Sequence, residues 1–402
     1  MDLDQAMLLE RAPGGGHRVR YAIADVGWFV ERGGPVEAEA WRRGVTVYTP
    51  DVRCPLYPRA LGEGAASLLP DEDRPAVVFT VELDDRGRET AASVARALVR
   101  SRERLDYSGL GGEQAALLRE IAMRRIALAE ARGAVALNAP AQRVVPDPRV
   151  PCGYRLEWES RLPSEDWNAE ISLLAGTVAA AAMLRRRVGL LRTMGAADSY
   201  RVELLRRAAA GLGVNWPRAT SYEEFARELR PADPARAALL EQARGVMGRA
   251  GYVAFAGDVP GQHVHAGLAT AYAHTTAPLR RLADRYVLDL LVELESGGAP
   301  DAATVDTLRR LPAVMEEAEA RAGQVERAVV DELEARLLEH RIGERFDAVV
   351  VDDDARGARL QIADPPVRAR LHSDRRIDPG TTLAVRLVAA DPLGRSLRFA
   401  PA

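Results

Sequence analysis

The first residues that could perform chemistry are two aspartates, Asp2 and Asp4, which lie directly ahead of an apolar segment with the character of a β-strand. Carboxylate oxygens are the ligands that hard divalent cations prefer in proteins. Two acids at this spacing therefore indicate a metal site, with an ordinary solvated terminus as the alternative. Gln5 follows them and could add a carbonyl oxygen, which binds a cation more weakly because it carries no charge.

Two adjacent arginines, Arg280 and Arg281, stand in the segment AHTTAPLRRLADRY. The capping and proline signals predict a helix that begins within residues 275–278, which would place both arginines in its first turn. A helix N-terminus favours anions, and a guanidinium group can bind a phosphate at two points. With His274 just ahead, these groups predict a phosphate receptor. The alternative is an ion pair on the helix surface, with Asp284 one turn after Arg280.

Tyr48 lies in the irregular, proline-rich segment VTVYTPDVRCPLYP. In such a segment an aromatic ring often fills space in the core. The other interpretation is stacking on a nucleobase, because every base offers a π-face to an aromatic side chain. Only 5% of the chain is aromatic, so a ring in a loop is a candidate binding residue.

The composition is that of an ordinary globular protein, with 402 residues, of which 47% are hydrophobic and 28% are charged. The net charge is −3, so a nucleic-acid partner would bind in a local channel and not across a basic face. All 55 basic residues are arginine. The absence of lysine excludes Schiff-base chemistry and lysine-dependent phosphate loops, so a bound phosphate would need arginine or a metal.

The two cysteines, Cys54 and Cys152, form no CxxC motif, so we expect reduced thiols and no disulfide-linked partner. The most apolar stretch, residues 171–187, is rich in alanine and follows acidic residues, which predicts a buried helix and no membrane partner. The N-terminus carries acids where a signal peptide has basic residues. We therefore expect a cytoplasmic protein, and we expect it to be a monomer.

The elements that must position these residues predict an α+β fold. Strands and turns dominate up to about residue 105, including a hairpin around Arg86-Gly87. The apolar periodicity predicts helices at residues 112–133, 164–187, 275–296 and 313–341. From Gly343, five short alternating strands joined by Asp, Gly and Pro turns predict a small barrel of the OB type.

Several segments, in the right order, resemble one family. They are YAIADVGWFV, GGPVEAEAWRRGVTVYTPD, EGAASLLPDEDRPAVVFTVELDDRG, SRERLDY and HAGLATAYAHTTAPLRRLADRYV, which are similar to motifs of the RNB family, the ribonuclease II and ribonuclease R exoribonucleases. The likeness covers about residues 2–296. It implies an N-terminally truncated RNB catalytic domain at residues 1–341, with a mixed sheet and surrounding helices. It also implies a small all-β OB-type barrel, a possible RNA-binding module, at residues 342–402.

The resemblance implies a processive 3′→5′ exoribonuclease that hydrolyses single-stranded RNA to nucleoside 5′-monophosphates with Mg²⁺. It places Asp2 and Asp4 in the family's metal-binding acidic cluster, with Asp4 also catalytic, and Arg280 on the arginine that contacts the scissile phosphate. Four further residues fall on RNA-binding positions: Tyr48 on the aromatic clamp of a terminal base, Arg281 beside Arg280, and Tyr107 and Glu170 on residues that hold the last nucleotides.

Two departures from the family pattern leave an alternative open. The family has an acid where this chain has Gln5, and one more aspartate a few residues upstream of residue 1. Two-metal phosphoryl chemistry needs enough anionic ligands for two cations, and we expect the backbone at Asp2 to fray. The alternative is a weakly active or inactive RNA-binding protein of the same fold. A phosphatase of the haloacid dehalogenase type, which needs an apolar strand ahead of its first aspartate, fits the sequence less well.

Overall fold

The computed structural model describes residues 2–135, 137, 141–150, 153–159, 162–230, 234–354, 357–372 and 376–402. The strands of this part of the chain are β1 Gln5–Arg11, β2 His17–Ala24, β3 Val47–Tyr48, β4 Arg53–Cys54, β5 Asp73–Leu83, β6 Glu89–Arg100, β7 Ala141–Pro146, β8 Tyr154–Glu159, β9 Val188–Met194, β10 Ala250–Ala256, β11 Arg345–Asp354, β12 Gly357–Ile362, β13 Val367–Leu371, β14 Thr382–Asp391 and β15 Ser396–Pro401. Its α-helices are α1 Val26–Phe29, α2 Pro35–Arg43, α3 Gly112–Ala131, α4 Pro163–Arg186, α5 Ser199–Gly211, α6 Tyr222–Glu228, α7 Pro234–Ala243, α8 Leu282–Glu295 and α9 Ala302–Leu338.

An antiparallel sheet in the order β1-β2-β5-β6 forms the base of the larger part of the molecule. The sequence of β5 alternates, and Val77, Phe79 and Val81 are all buried on one face of the sheet. The hairpin of β5 and β6 around Arg86-Gly87 confirms the sequence prediction. Strand β1 is an edge strand of this sheet, and the two aspartates directly precede it.

Helix α4 packs against α3, α8 and β9 at the centre of the core. Its alanines, such as Ala179 and Ala180, are fully buried together with Met183, since small side chains let neighbouring elements approach closely. The buried helix expected at residues 171–187 is therefore present. Among the described residues, α4 is the one helix that is long and apolar enough to cross a membrane, a property that core helices share, and half of its apolar window is buried in the protein.

Helix α8 begins at Leu282, later than the capping signals predicted. Residues 278–280 form a turn, in which the Arg280 and Arg281 N–H groups donate to the Ala277 carbonyl at 3.1 and 2.9 Å. Arg281 is then extended: it pairs with Val45 in an antiparallel bridge, and the Thr46 N–H donates to the Arg280 carbonyl at 2.9 Å. Arg280 thus lies in a single turn and Arg281 in a strand-like contact, and the continuous helix starts only after both. A pairing between distant segments has overridden the local capping signals.

Helix α9 begins at Ala302, so the expected start after Pro312 is wrong. Asp301 caps the helix, because its carboxylate accepts a hydrogen bond from the Thr304 N–H at 2.7 Å. Pro312 lies in the interior and removes one helical hydrogen bond. Packing of α9 against β10 and α8 holds the helix together across that position.

The last five strands close into a barrel in the order β11-β12-β13-β15-β14, with only the contact between β13 and β15 parallel. Leu360, Val385 and Phe399 are among the side chains that fill its interior. Shifts of register near Val350 and Leu387 mark bulges, which help a small sheet to curve. The α+β fold with a small terminal barrel is therefore confirmed.

Glu334, near the end of α9, joins the barrel to the rest of the chain. Its Oε1 atom accepts hydrogen bonds from the Gln142 side-chain amide at 2.6 Å and from the Arg368 backbone N–H at 2.8 Å. These partners belong to β7 and to the barrel strand β13. Burial raises the pKa of Glu334 to about 7, against the opposing effect of the two hydrogen bonds.

The carboxyl of Glu334 should make the stability of this junction depend on pH. The pKa of Glu334 is higher in the folded state than in the unfolded state. Its contribution to stability is therefore complete at a pH below the unfolded-state pKa, and it is lost as the pH rises through about 7. Glu334→Gln keeps an acceptor without the charge and should raise the free energy of unfolding at pH 8 by up to about 3 kcal/mol. Urea unfolding between pH 5 and 8 measures this difference. Glu332→Gln, on the exposed face of α9, is the control. Identical pH dependence in both variants and the wild type would contradict the assignment.

Candidate functional site

The segment that carries the two aspartates is held on both sides. The Leu3 N–H donates to Ser67 Oγ at 2.8 Å, and the Leu3 carbonyl accepts from the Leu68 N–H at 2.9 Å. The Asp4 carbonyl accepts from the Ala24 N–H at 2.9 Å. Contacts that are distant in sequence thus fix Leu3, the residue after Asp2, which argues against the fraying expected there.

Asp4 is buried beside the segment that contains the two arginines. Its Oδ1 accepts a hydrogen bond from the Leu279 N–H at 2.8 Å, and its Oδ2 lies 3.5 Å from Arg280 Nε. Burial raises the pKa of Asp4 to about 7, although the Leu279 N–H and the Arg280 charge act in the other direction. Asp2 and Asp284 add to the increase because their negative charges lie close by. Asp4 is thus a carboxyl that needs positive charge nearby to ionise fully.

Asp2 makes an ion pair that no local sequence pattern predicted. Arg53 Nη1 donates to Asp2 Oδ1 at 2.6 Å, and Arg53 Nη2 donates to the Glu63 carboxylate. The Asp2 and Arg53 side chains are 18% and 23% exposed, so the pair is only partly open to solvent. A single guanidinium therefore joins two acids from different parts of the chain.

Gln5 is a structural link. Its Nε2 donates to the Thr276 carbonyl at 2.7 Å, and its Oε1 accepts from the Tyr21 hydroxyl at 2.5 Å. The Tyr21 hydroxyl also lies 2.8 Å from Ser172 Oγ on α4. This chain of hydrogen bonds connects β1, β2, α4 and the segment ahead of α8. The Gln5 carbonyl oxygen is consequently already engaged and does not stand open as a metal ligand.

Arg281 and Asp284 form a fully engaged pair. Arg281 Nε and Nη2 each donate to one oxygen of Asp284 at 2.7 Å, and the carboxylate also accepts the Ala277 N–H at 2.7 Å. Burial opposes the charge of Arg281, but the Asp284 carboxylate outweighs it and raises the pKa of Arg281. The ion pair expected between Arg280 and Asp284 is therefore wrong: Asp284 belongs to Arg281, whose guanidinium is committed to holding the segment in place.

His274 does not contribute a positive charge to the site. Its Nδ1 lies 2.7 Å from the Tyr252 hydroxyl, and Tyr252 and Tyr272 pack edge-on against its ring. Burial, together with the charges of Arg281 and Arg192, lowers the pKa of His274 well below its usual value. Of the three groups expected to form a phosphate receptor, Arg280 is the one with a half-exposed side chain, and Asp4 is its ion-pair partner within the described residues.

Tyr48 lies beside these charges in the hairpin formed by β3 and β4, two strands of two residues each. It stands opposite Arg53 in the register of the hairpin, and its side chain is 49% exposed. Burial of the other half of the ring raises the pKa of Tyr48. The negative charges of Asp2 and Asp4 add to this increase, and the positive charge of Arg280 opposes it. The core-packing interpretation of this ring is therefore not supported. Cys54, at the end of the hairpin, is an exposed free thiol, and Cys152 lies outside the described residues.

Tyr107 packs on the first turns of α4. Its carbonyl accepts from Ser164 Oγ at 2.7 Å and its hydroxyl from Asn168 Nδ2 at 3.0 Å. Ser172, which contacts Tyr21, lies one turn further along this face. Glu170 lies on the other side of α4, where burial raises its pKa and Arg125 of α3 opposes the increase. The structure thus brings Tyr107 towards the Tyr21 network and places Glu170 against α3.

Gly176 of α4 lets the segment ahead of α8 cross the helix closely. The Ala273 N–H donates to the Gly176 carbonyl at 3.1 Å. A methyl group on Gly176 would lie 2.1 Å from the Tyr272 ring and 2.6 Å from the Ala273 carbonyl. Only glycine allows this approach. The close crossing therefore fixes how near to α4 the segment that carries Arg280 lies.

Arg53, Tyr21 and the structural role of Gln5 were not predicted from the sequence. A signal for Arg53 was present: the TPDV stretch between Tyr48 and Arg53 is a turn sequence, and a hairpin around it places the two residues opposite each other. No local signal connects Gln5 with Tyr21 or Thr276, because their contact depends on how separate elements pack.

The comparisons with known proteins identify the class. A sequence model of the RNB domain matches residues 1–297, and one of the RNase II-type exonuclease C-terminal S1 domain matches residues 344–402. The chain therefore belongs to the RNB family, as the sequence resemblance implied. Ribonuclease R of Aquifex aeolicus is 28% identical over 388 residues, which cover 87% of this chain and 52% of the relative. The chain spans about half the length of the curated relatives it matches.

Two solved structures share the fold. RNase R of Mycoplasma genitalium, in complex with ribose-methylated single-stranded RNA, superimposes with a TM-score of 0.88 at 18% identity and covers 100% of this chain and 69% of its own. Yeast Ssd1, described as a pseudonuclease, has a TM-score of 0.73 at 17% identity over 98% of this chain and 50% of its own. The fold therefore occurs both in a ribonuclease and in a protein described as lacking that activity.

Ribonucleases of this family depend on divalent metal ions, and the acids of this chain fit one such ion better than two. Asp2 and Asp4 offer carboxylate oxygens, and the repulsion that helps to raise the pKa of Asp4 is what a cation would relieve. The described residues contain no group of three or more His, Cys, Asp or Glu side chains that could hold a metal. Arginine contacts also engage both aspartates. Within the described residues, a cation would therefore find at most these two carboxylates, both of them engaged by arginine.

Gly176→Ala should destabilise the protein, although alanine normally stabilises a helix by up to about 1 kcal/mol relative to glycine. The added methyl would collide with the Tyr272 ring and the Ala273 backbone, and overpacking costs roughly 1–3 kcal/mol. Gly323→Ala in α9 is the matched control, because its methyl would meet only the flexible end of Arg327. Urea unfolding compares the two variants. Equal stabilisation by both would show that the close crossing at Gly176 does not constrain the segment.

Proposed function

We propose that this chain is a 3′→5′ exoribonuclease that hydrolyses single-stranded RNA to nucleoside 5′-monophosphates. One observation carries the proposal: a half-exposed guanidinium, Arg280, lies next to a buried carboxyl, Asp4, and to a half-exposed ring, Tyr48. A phosphate, a leaving oxygen and a base could be bound together at such a place. Family membership and the RNA bound to the Mycoplasma genitalium relative support RNA as the substrate.

Each residue has a distinct task in this proposal. Tyr48 stacks on a base near the 3′ end, and Arg280 binds the scissile phosphate and offsets the charge that develops there. Asp4 orients the Arg280 segment through the Leu279 N–H. Arg281 positions the same segment through Asp284 and contacts RNA only if its own pair opens. Tyr107 and Glu170 are proposed to hold the last nucleotides, although Glu170 now faces Arg125.

Asp2 and Asp4 are the residues proposed to hold the metal ion, for which we propose Mg²⁺. A divalent ion at these carboxylates would supply an activated water molecule and neutralise negative charge. The protein's own contribution is to keep the two acids and Arg280 in one rigid environment. The barrel of β11 to β15 is proposed as an additional surface for the RNA strand, as its S1 assignment supports.

The test of this function is the fate of a short single-stranded RNA labelled at its 5′ end. With Mg²⁺ or Mn²⁺ present, the wild-type chain should shorten the RNA stepwise from the 3′ end and release nucleoside 5′-monophosphates. Protection by a 3′-terminal phosphate or blocked ribose would establish the direction. Internal cleavage, or release of 3′-phosphorylated products, would contradict the proposal.

Arg280→Lys should lower the rate of hydrolysis by about two orders of magnitude or more while RNA affinity changes little. Lysine keeps the charge but loses the planar fork that matches the phosphate, and the loss should appear mainly in the transition state. Single-turnover kinetics and fluorescence anisotropy separate the two effects. Arg207→Lys, on the exposed side of α5, is the control. Parallel losses of affinity and rate would instead make Arg280 a simple binding residue.

Tyr48→Ala should weaken binding of short single-stranded RNA by about 1–3 kcal/mol, because one base loses its stacking partner. The ring is half exposed, so thermal stability should remain close to that of the wild type. Anisotropy titrations measure the affinity, and Tyr200→Ala, an exposed tyrosine of α5, is the control. A large loss of stability with unchanged affinity would return Tyr48 to a packing role.

The second candidate is an RNA-binding protein of the same fold without useful hydrolysis. The specific observation that favours it is the pairing of both aspartates with arginines, which leaves no carboxylate of the acidic pair unengaged. Tight RNA binding that depends on Tyr48, with no release of nucleotides at any concentration of Mg²⁺ or Mn²⁺, would support this candidate. Metal-dependent shortening of the RNA would exclude it.

A further inference from the structure

Arg53 lies where a bound cation would have to interact with Asp2. Its Nη1 is 2.6 Å from Asp2 Oδ1, within the range of a strong charge-assisted hydrogen bond. The Glu63 carboxylate holds its other terminal nitrogen. Arg53 is thus fixed from one side by Glu63 and presents its positive charge to Asp2 from a defined position.

The two acids of the pair are engaged to different degrees. Asp4 meets Arg280 Nε at 3.5 Å, a distance at which the contact is mainly electrostatic, and the Arg280 side chain is half exposed. The Asp2 contact is shorter, and Arg53, whose side chain is 23% exposed, is less exposed than Arg280. Of the two arginines, Arg53 is therefore the stronger competitor for an approaching cation.

We propose that Arg53 and a divalent cation compete for Asp2, so that metal binding requires the Arg53–Asp2 ion pair to open. This inference rests on the proposed metal-binding role of the two aspartates. A cation that used only the other Asp2 oxygen would still lie within a few ångströms of the guanidinium charge. At that distance the repulsion in a partly buried site costs a substantial part of the binding free energy.

The hairpin of β3 and β4 couples this competition to RNA. Tyr48 and Arg53 are cross-strand partners, so a nucleotide stacked on Tyr48 would bring its phosphate into the neighbourhood of Arg53. A phosphate is an alternative partner for a guanidinium group. Movement of Arg53 from Asp2 to the RNA backbone would release the carboxylate, and the RNA would then favour metal binding.

The experiment measures binding of Mn²⁺ alone, from the electron paramagnetic resonance signal of the free ion, and does not depend on hydrolysis. Arg53→Gln should tighten Mn²⁺ binding by about fivefold or more, because the competing charge is gone. Arg53→Lys keeps the charge without the fork and should fall between Arg53→Gln and the wild type. The Mn²⁺ affinity of Arg53→Lys also tests the inference if Arg53→Gln proves unstable. In the double variant Arg53→Gln/Asp2→Asn the gain should disappear.

Arg59→Gln is the matched control. Arg59 contacts the same Glu63 at 3.6 Å but is largely exposed, and within the described residues it makes no ion pair with Asp2. Its removal should change Mn²⁺ affinity by no more than about twofold. A gain in Arg59→Gln equal to that in Arg53→Gln would reduce the effect to net charge and overturn the inference. So would an Arg53→Lys protein that binds Mn²⁺ as the wild type does.

Failure of the proposed metal role has a different signature. If no variant, including the wild type, shows saturable Mn²⁺ binding, the two aspartates are not metal ligands and the inference falls with that role. Saturable binding that Asp2→Asn abolishes but Arg53→Gln leaves unchanged would retain the metal site and remove only the competition. RNA affinity, measured separately through Tyr48, reports on the substrate independently of both outcomes.

Discussion

The bidentate pair of Arg281 and Asp284 fixes the segment on which the rest of the site depends. Asp284 is fully buried, and its carboxylate also binds the Ala277 N–H, so the chain between these residues can adopt one path only. Breaking one partner of such a buried pair leaves an uncompensated charge, which costs about 3–5 kcal/mol. From that path follow the position of the Leu279 N–H, which holds Asp4, and the direction of Arg280. Arg281 therefore positions the segment from which the Arg280 side chain extends.

A polar network carries the same constraint across the core. Gln5, Tyr21 and Ser172 connect two strands of the sheet with α4, and Gln5 extends the connection to Thr276. Buried networks of this kind are rigid when every member is paired. An acid in place of Gln5 could not donate to the Thr276 carbonyl in its ionised form. An acid at this position would offer a metal ligand, whereas the Gln5 amide forms a structural hydrogen bond to the segment that carries the two arginines.

The sequence allowed the fold and the principal residues of the candidate site to be predicted wherever the signal was local. The terminal barrel, the hairpin around Arg86-Gly87 and helix α4 follow from alternation, turn residues and apolar periodicity. Asp4, Arg280 and Tyr48 stand in recognisable motifs. The start of α8 and the engagement of Asp2 by Arg53 were not predictable in this way. Each depends on segments that are far apart in sequence, and for those contacts local patterns carry no information.

Helix α9 has a mechanical consequence. It packs on the core through β10 and α8 at one end and reaches the barrel at the other, and from Pro312 to its end it spans about 40 Å. A rod of that length acts as a strut. Beyond Pro312, Glu319 still bonds to Arg192, and Arg321 still donates to the carbonyls of Arg42 and Arg43, so the helix stays attached to the core well past the proline. Glu334 attaches the far end of the same helix to β7 and to the barrel, so α9 sets the distance between the barrel and the core.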